Sequence, residues 1–314
     1  MKPIRTIAVI GATGRLGAPV ANELARHFEV RAVVRSPDKA RRMLPDTVEI
    51  VQADLRDVPG LRAALDGVDA LYLNLATETA DPNLPFYEER EGVRNLMTAI
   101  QGLDIQYIAK IGALGAYPPA LGNIQQNIVP NIIRMEGHKI IADAGIRHTF
   151  FAPTHFMELL PHMISGRAIQ WIGNTRVRIW WISAADYARW VVEAFQNPEA
   201  MPENCPVQGP EAISVRQALE RFVKNYDPSL KIRVAPLWVM RMIGLFNPKM
   251  KFVAHLFAYF GDHEDPFYAG ETWEKLGRPT TTLEMFARRL RQSQNLQQSV
   301  KRTVSKRTET GKER

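Results

Sequence analysis

Cys205 is the only cysteine in 314 residues, which excludes an intrachain disulfide and a cysteine metal cluster. A lone thiol fits a reducing compartment, so a cytoplasmic location is expected. Long hydrophobic runs are also missing. No apolar stretch reaches the roughly 18 residues of a membrane span. The run at 7–10 is too short for the core of a signal peptide, so neither a span nor a leader is expected. The seven histidines are scattered without His-Glu-x-x-His spacing, and no Gly-x-Ser-x-Gly elbow occurs. Metal and serine hydrolases are therefore disfavoured, and no metal ligands are assigned. The net charge of +7 is no nucleic-acid signature either. Beyond Leu296, six Lys/Arg against two Glu supply four of those charges, leaving an unremarkable +3 for the rest.

What is present is concentrated near the start. Residues 6–17 read Thr-Ile-Ala-Val-Ile-Gly-Ala-Thr-Gly-Arg-Leu-Gly, a β-branched strand followed at once by three glycines and a helical stretch. Gly11 permits the tight turn out of the strand, Gly14 lets the backbone approach a pyrophosphate, and Gly17 lets the helix pack on the sheet. The helix N-terminus adds unpaired N–H groups for the phosphates. This is a dinucleotide fingerprint in its proper setting. The second strand ends in Arg35-Ser36, where NAD-preferring sites carry an acid for the ribose 2′-OH. Arg35, with Arg15 from the glycine loop, points to the 2′-phosphate of NADP(H). Asp54, past the third strand, is placed either beside the adenosine or as the N-cap of a helix near Val58.

Strand-like and helix-like stretches alternate to about residue 151, with further strands near 70–75, 105–111 and 149–152. Such alternation predicts an α/β fold, a Rossmann-type doubly wound parallel sheet, with a small mixed α/β C-terminal domain. Residues 1–155 form the expected cofactor domain, with segments near 181–212 as candidates to return to it. Residues 156–291 form a small substrate and lid region. Residues 292–314 form a basic tail too poor in apolar residues to fold alone. Residues 238–260, rich in Met, Phe and Leu, read as an amphipathic helix pair over a pocket rather than a membrane anchor. Arg241, Lys249, Lys251 and His255 interrupt the run.

Together these patterns resemble the NmrA-like group of atypical short-chain dehydrogenases/reductases. The resemblance rests on 11–17, the Val-Val-Arg-Ser end of strand two and Ala53-Asp54-Leu55. It continues through Phe151-Ala152-Pro153, Phe156-Met157-Glu158, residues 181–186, Gly209-Pro210-Glu211-Ala212 and Leu276-Gly277-Arg278-Pro279, covering roughly residues 4–290. It implies NADP(H) bound by Gly11, Thr13, Gly14, Arg15, Leu16, Gly17, Arg35, Ser36, Asp54 and Leu55. It also implies Asn74, Leu75 and Ala76 along the nicotinamide ribose. Gly112 and Pro153 would lie beside the nicotinamide. Relatives of this kind include reductases of quinones, dyes or phenylpropanoids, and cofactor-binding regulators.

The chain departs from the wider family in its chemistry. No Tyr-x-x-x-Lys occurs; at the usual spacing the lysine place falls near Arg134 and the tyrosine place near Pro130. Neither side chain can pass a proton near neutral pH. Hydride transfer to a quinone-like or conjugated acceptor needs no protein acid. Candidate replacement acids are Lys110, Tyr117 and His155, with Glu136 and His138 behind them. The pocket is expected where strands four, five and six end, at 74–77, 112–117 and 153–156. Glu158 and residues 181–186 are expected to close its far side, with Met240, Met242 and Phe246 as roof. Trp171, Trp180, Trp181, Trp238, Phe246, Phe257 and Phe260 are available to line it. The leading reading is an NADPH-dependent reductase of a small molecule. The alternative is a non-catalytic NADP(H) sensor acting through a protein partner, and no nucleic acid is expected in either case.

Overall fold

A computed structural model describes residues 2–79, 81–121, 128–262 and 264–310. From the N-terminus come β1 (Thr6–Ile10), α1 (Gly17–Leu24), β2 (Glu29–Val34), α2 (Pro37–Arg41), β3 (Glu49–Gln52), α3 (Val58–Leu65), β4 (Ala70–Leu73), α4 (Val93–Ala99) and β5 (Tyr107–Ile111). A π-helical turn (Glu88–Gly92) leads into α4, and a 3-10 turn (Leu114–Ala116) follows β5. Next are α5 (Pro118–Leu121), α6 (Val129–Asp143), β6 (Arg147–Pro153), β7 (His155–Phe156), α7 (Leu159–His162), β8 (Ile164–Ser165), β9 (Ala168–Ile172) and β10 (Arg178–Ile182). The chain continues with α8 (Ala184–Gln196), β11 (Asn204–Val207), β12 (Ala212–Ser214), α9 (Val215–Tyr226) and β13 (Lys231–Ala235). It closes with α10 (Leu237–Gly244), α11 (Pro248–Asp262), α12 (Gly270–Leu276) and α13 (Leu283–Thr310).

Seven strands form one sheet in the order β11-β6-β5-β4-β1-β2-β3, every neighbouring pair parallel. Alternation along β1 shows why helices must cover both faces. Ile7 and Val9 enter the core beneath α1 and α8, while Ala8 and Ile10 enter the core beneath α3, α4 and α6. This is the doubly wound Rossmann-like sheet. β11 and α8 belong to it, although they follow the first strands of the smaller part. Ser183 caps α8 by accepting the Asp186 N–H at 3.0 Å. The buried Asp186 carboxylate in turn accepts the Thr281 N–H at 2.9 Å, tying the late segment to the sheet.

The smaller part holds two three-stranded sheets, β12-β10-β7 and β13-β9-β8. A third core, around Trp171, Trp181, Ile213, Phe222 and Leu283, packs them against α9 and α13. A capping box at Ser214 and Gln217 starts α9. The tail expected to be unstructured from 292 is instead helical to Thr310; residues 311–314 lie outside the described residues. No Pro or Gly falls between 283 and 310. Its first turns are anchored by the buried Leu283 and Ala287, so the propagation of an existing helix replaces its nucleation.

Candidate functional site

The glycine loop is held from below by β4. Asn74 donates its backbone N–H to Ile10 O at 2.9 Å, and its side chain lies under the loop. A Cβ on Gly11, which has φ +87°, would stand 2.1 Å from Asn74 O; on Gly17 it would meet Gly11 O at 2.1 Å and Asn74 Nδ2 at 2.6 Å. A Cβ on Gly14 would sit 3.1 Å from Gly11 O. The loop is therefore closed on its own backbone, with no room for a side chain at Gly11 or Gly17 and little at Gly14. It borders a groove of about 520 Å³ lined by Gly11, Thr13, Gly14, Val34, Arg35, Lys39, Asp54, Leu55, Asn74, Leu75, Ala76 and Glu88, among others. The strand-end residues expected to touch a dinucleotide are thus brought together, and an NAD(P)H fits this donor set.

Six of the expected contacts fall outside the groove wall, Gly112 and Pro153 among them. Arg15 is exposed and sits close enough to His162 to hold that imidazole's pKa down, an effect second to burial. Leu16 packs on the core, Gly17 is buried at the start of α1, and Ser36 is exposed as the N-cap of α2. The second cation beside Arg35 is instead Lys39, one helical turn onward. Its signal in the sequence was a basic residue on the first turn after the strand-two arginine. Glu88 also reaches this end, its Oε1 3.8 Å from Arg35 Nη1. The two readings of Asp54 separate here. Asp57 caps α3, accepting the Gly60 N–H at 3.1 Å, while Asp54 turns back onto the Arg56 N–H at 2.9 Å and faces the groove.

Glu78 borders both this groove and a second cavity of about 630 Å³. The ends of β4, β5 and β6 converge there, contributing Thr77, Ala113, Leu114, Gly115, Pro153, Thr154 and His155. Gly112 stays behind the wall, where its added Cβ would press on His138 at 3.0 Å. The roof is α11, through Met250, Phe252, Val253, Leu256, Tyr259 and Phe260. The roof expected at Met240, Met242 and Phe246 is absent from the lining; Met242 and Phe246 face solvent. Of the seven aromatics considered, Phe260 alone lines the cavity. Trp171, Trp181 and Phe257 are core, and Trp180 packs on Phe267 and Trp273. Glu158 and residues 181–186 do not close the far side. Glu158 Oε1 accepts the Ala184 N–H at 3.0 Å, and burial pushes its carboxyl up to about 7.

Beneath the cavity floor lies a buried charge cluster. Glu89, on the π-helical turn, accepts from Thr77 Oγ1 at 2.9 Å, Lys110 Nζ at 3.1 Å and Arg134 Nε at 2.9 Å. Burial alone would raise its pKa, but Arg134 and Lys110 outweigh it and hold Glu89 ionised. Burial pushes Lys110 down, opposed by Glu89 and reinforced by Arg134. One carboxylate therefore faces two cations. Gly137 lets α6 approach, since a Cβ there would lie 1.8 Å from Glu89 O. Lys110, with no exposed surface, lines neither cavity, whereas Arg134 does reach the wall. The strand-end position suggested an open ammonium; the partner 21 residues earlier encloses it.

The other candidate acids divide similarly. Tyr117 packs edge-on against Tyr268, ring centroids 5.8 Å apart, and is not on the wall. Glu136 pairs with Arg90 at 2.9 Å, and His138 is stacked on Phe150 with its pKa driven down by burial. His155 lines the cavity against Phe260, centroids 4.4 Å apart, and among the described residues neither ring nitrogen has a hydrogen-bond partner. Burial pushes its pKa to about 4, so it is neutral at pH 7. Tyr259, on the roof, was not singled out from sequence. Its hydroxyl accepts from Asn131 Nδ2 at 3.4 Å, and burial pushes it up to about 12. A Cβ on Gly115 would stand 2.3 Å from Asn131 Nδ2 and 2.4 Å from the Tyr259 hydroxyl.

A family model described as NAD(P)H-binding matches residues 11–198. The NAD(P)H azoreductase of Xenophilus azovorans is 28% identical over 214 residues, 66% of this chain and 69% of that protein. Quinone oxidoreductase 2 of Escherichia coli is 31% identical over 146 residues, 46% of each chain. The crystal structure of an NADPH-dependent quinone oxidoreductase from E. coli with NADPH shares the fold at TM-score 0.70 and 22% identity, covering 90% of this chain and 99% of that one. The structure of Nmra, a negative transcriptional regulator, shares it at TM-score 0.65 and 16% identity, covering 91% and 95%. NmrA-like oxidoreductases of fungi, at 40–42% identity, match about a quarter of the chain. A glycine loop closed on Asn74, a dinucleotide groove at the strand ends and a matching model across more than half its length place this chain in the NAD(P)H-binding family, with NmrA-like oxidoreductases among its relatives.

Proposed function

We propose that the protein transfers hydride from NADPH to a quinone-like or otherwise conjugated small molecule. The observation that carries this reading is the second cavity. It meets the cofactor groove at Glu78, it is roofed by Met250, Phe252, Leu256 and Phe260, and the chain has no Tyr-x-x-x-Lys to place on its wall. Two ring groups on its wall, His155 at about 4 and Tyr259 at about 12, are mistuned for proton transfer near neutrality. Each still carries a proton that it can donate to a bound acceptor. Reduced nicotinamide, when bound, supplies a hydride. His155, Tyr259 and the Arg134 guanidinium would orient the acceptor's oxygens and stabilise the anion formed there, and the cation-rich cluster beneath would add to the field. One hydride and one proton from water convert a quinone to a hydroquinone, so the balance needs no protein acid. The azoreductase and quinone oxidoreductase among the relatives support the same acceptor class.

The test is reduced-nicotinamide consumption with a panel of benzoquinones, naphthoquinones, azo dyes, enones and simple ketones. Turnover of conjugated acceptors without simple ketones is expected, with Tyr259→Phe slowing it. Reduction of ketones alone would refute the reading. Silence across the panel, with a protein partner captured only in one cofactor state, would favour the sensor reading, for which the shared fold with Nmra is the specific observation.

A further inference from the structure

Helices α10 and α11 form a tight hairpin whose outer face is unlike the rest of the surface. Gly244 lets the two helices touch, since a Cβ there would meet Lys251 Cα at 2.8 Å. The hairpin is thus well packed, yet Phe246 is 90% exposed, Leu245 71% and Trp238 66%. Arg241, Lys249 and Lys251 are exposed among them. From Ser229 to Gly261 the chain carries five Lys/Arg and no Asp or Glu. Apolar side chains of this size facing water are costly and mark an interaction surface. Their interleaving with cations alone matches one partner chemistry, an apolar layer bounded by phosphates.

We propose that the α10–α11 hairpin docks on the surface of an anionic lipid bilayer. Leu245 and Phe246 at the corner enter the acyl boundary, Trp238 sits at head-group depth, and the three cations meet lipid phosphates. No helix among the described residues is long and apolar enough to cross a membrane, so the contact is interfacial. The charges that argue against a buried anchor are those an interfacial one uses. The inner face of α11 roofs the cavity, so a docked hairpin sets that cavity beside the phase in which lipophilic acceptors dissolve.

The experiment is co-sedimentation of the full chain with vesicles of phosphatidylcholine plus phosphatidylglycerol, and of phosphatidylcholine alone, without cofactor or acceptor. Its outcome is therefore separate from that of the turnover assay. Binding to the mixed vesicles is expected, weakened about tenfold or more by the paired change Leu245→Asp/Phe246→Asp and again by Lys249→Glu/Lys251→Glu. Loss of the wild-type blue shift in Trp238 emission, isolated against Trp238→Phe, should accompany the first pair. All the altered side chains are exposed, and unfolding curves check that the variants fold. Equal sedimentation of wild type and the Leu245→Asp/Phe246→Asp variant would overturn the proposal, because the basic end of α13 would then suffice. So would a concentration-dependent dimer that the same pair dissolves, which assigns the face to a second copy.

Discussion

Glu88 makes an unusual prediction about cofactor choice: removing an acid from the groove should improve the binding of NADPH and leave NADH alone. Arg35 Nη1 lies 3.8 Å from Glu88 Oε1, so a 2′-phosphate reaching Arg35 arrives at a cation already shared with a carboxylate. Two unit charges about 4 Å apart interact by about 1 kcal/mol in water and about 4 kcal/mol at an effective dielectric near 20. The Arg35 side chain is 69% exposed, which places the pair near the lower figure. Arg35→Ala should therefore weaken NADPH by about 1 to 1.5 kcal/mol, or fivefold to tenfold, with little change for NADH. Glu88→Gln should strengthen NADPH by about threefold to fivefold through the same arithmetic with opposite sign. Lys39→Ala should act as Arg35→Ala does, since its ammonium borders the same end of the groove. Calorimetric titration with both cofactors measures all of this, and raising the salt should shrink each difference. Equal losses for NADH and NADPH in Arg35→Ala would refute the assignment of this corner to the 2′-phosphate.

Glu158 should make the fold pH-dependent. Its folded pKa of about 7 lies above the unfolded value, so its stabilising share is complete below the unfolded pKa and is lost as pH rises through 7. Between about pH 5 and pH 8 the wild type should lose about 2 to 3 kcal/mol in urea unfolding that Glu158→Gln does not lose. In the buried cluster, Glu89→Gln should destabilise by about 3 to 5 kcal/mol, because it strands two cations. Lys110→Met should cost clearly less, since Arg134 still pairs with Glu89; equal costs in denaturant melts would contradict this arrangement. Gly209→Ala should be among the most damaging small changes, about 3 kcal/mol or more, because its Cβ would lie 1.6 Å from Trp181 O.

Features set by local order were legible in the sequence. The glycine loop, the strands of the parallel sheet and the convergence of Asn74, Gly115 and Pro153 at the strand ends follow from alternation and from the topology it imposes. Features set by contacts distant in the chain were not. Lys110 ends a strand at the ligand edge, but its side chain turns toward Glu89, a neighbour that appears only once α4 and α6 are folded over β5. In the region 238–260 both helices have the same amphipathic composition, so periodicity could not say which one faces the cavity. In the fold α11 lines the cavity and α10 packs against it at Gly244, outside the site. Arg15 and Lys39 changed places for a simpler reason. The glycine loop closes on Asn74 and sends Arg15 outward, while the first turn of α2 returns Lys39 to the groove.

The Arg134–Glu89–Lys110 cluster bears on how this site can change. A lysine relay works because its charge is exchangeable; a guanidinium forked onto a buried carboxylate is permanent. Arg134, at the spacing where the resemblance leads one to expect a lysine, is here a brace for the π-helical turn. Arg134→Lys alone would loosen Glu89 without supplying a phenol, and Pro130→Tyr alone would put a phenol in the cavity beside no relay. Neither change alone assembles a phenol with its lysine relay, so carbonyl chemistry would need both together. Exchanges at Ala113, Met250, Val253 or Leu256, on the wall and the roof, would reshape the cavity without touching the brace.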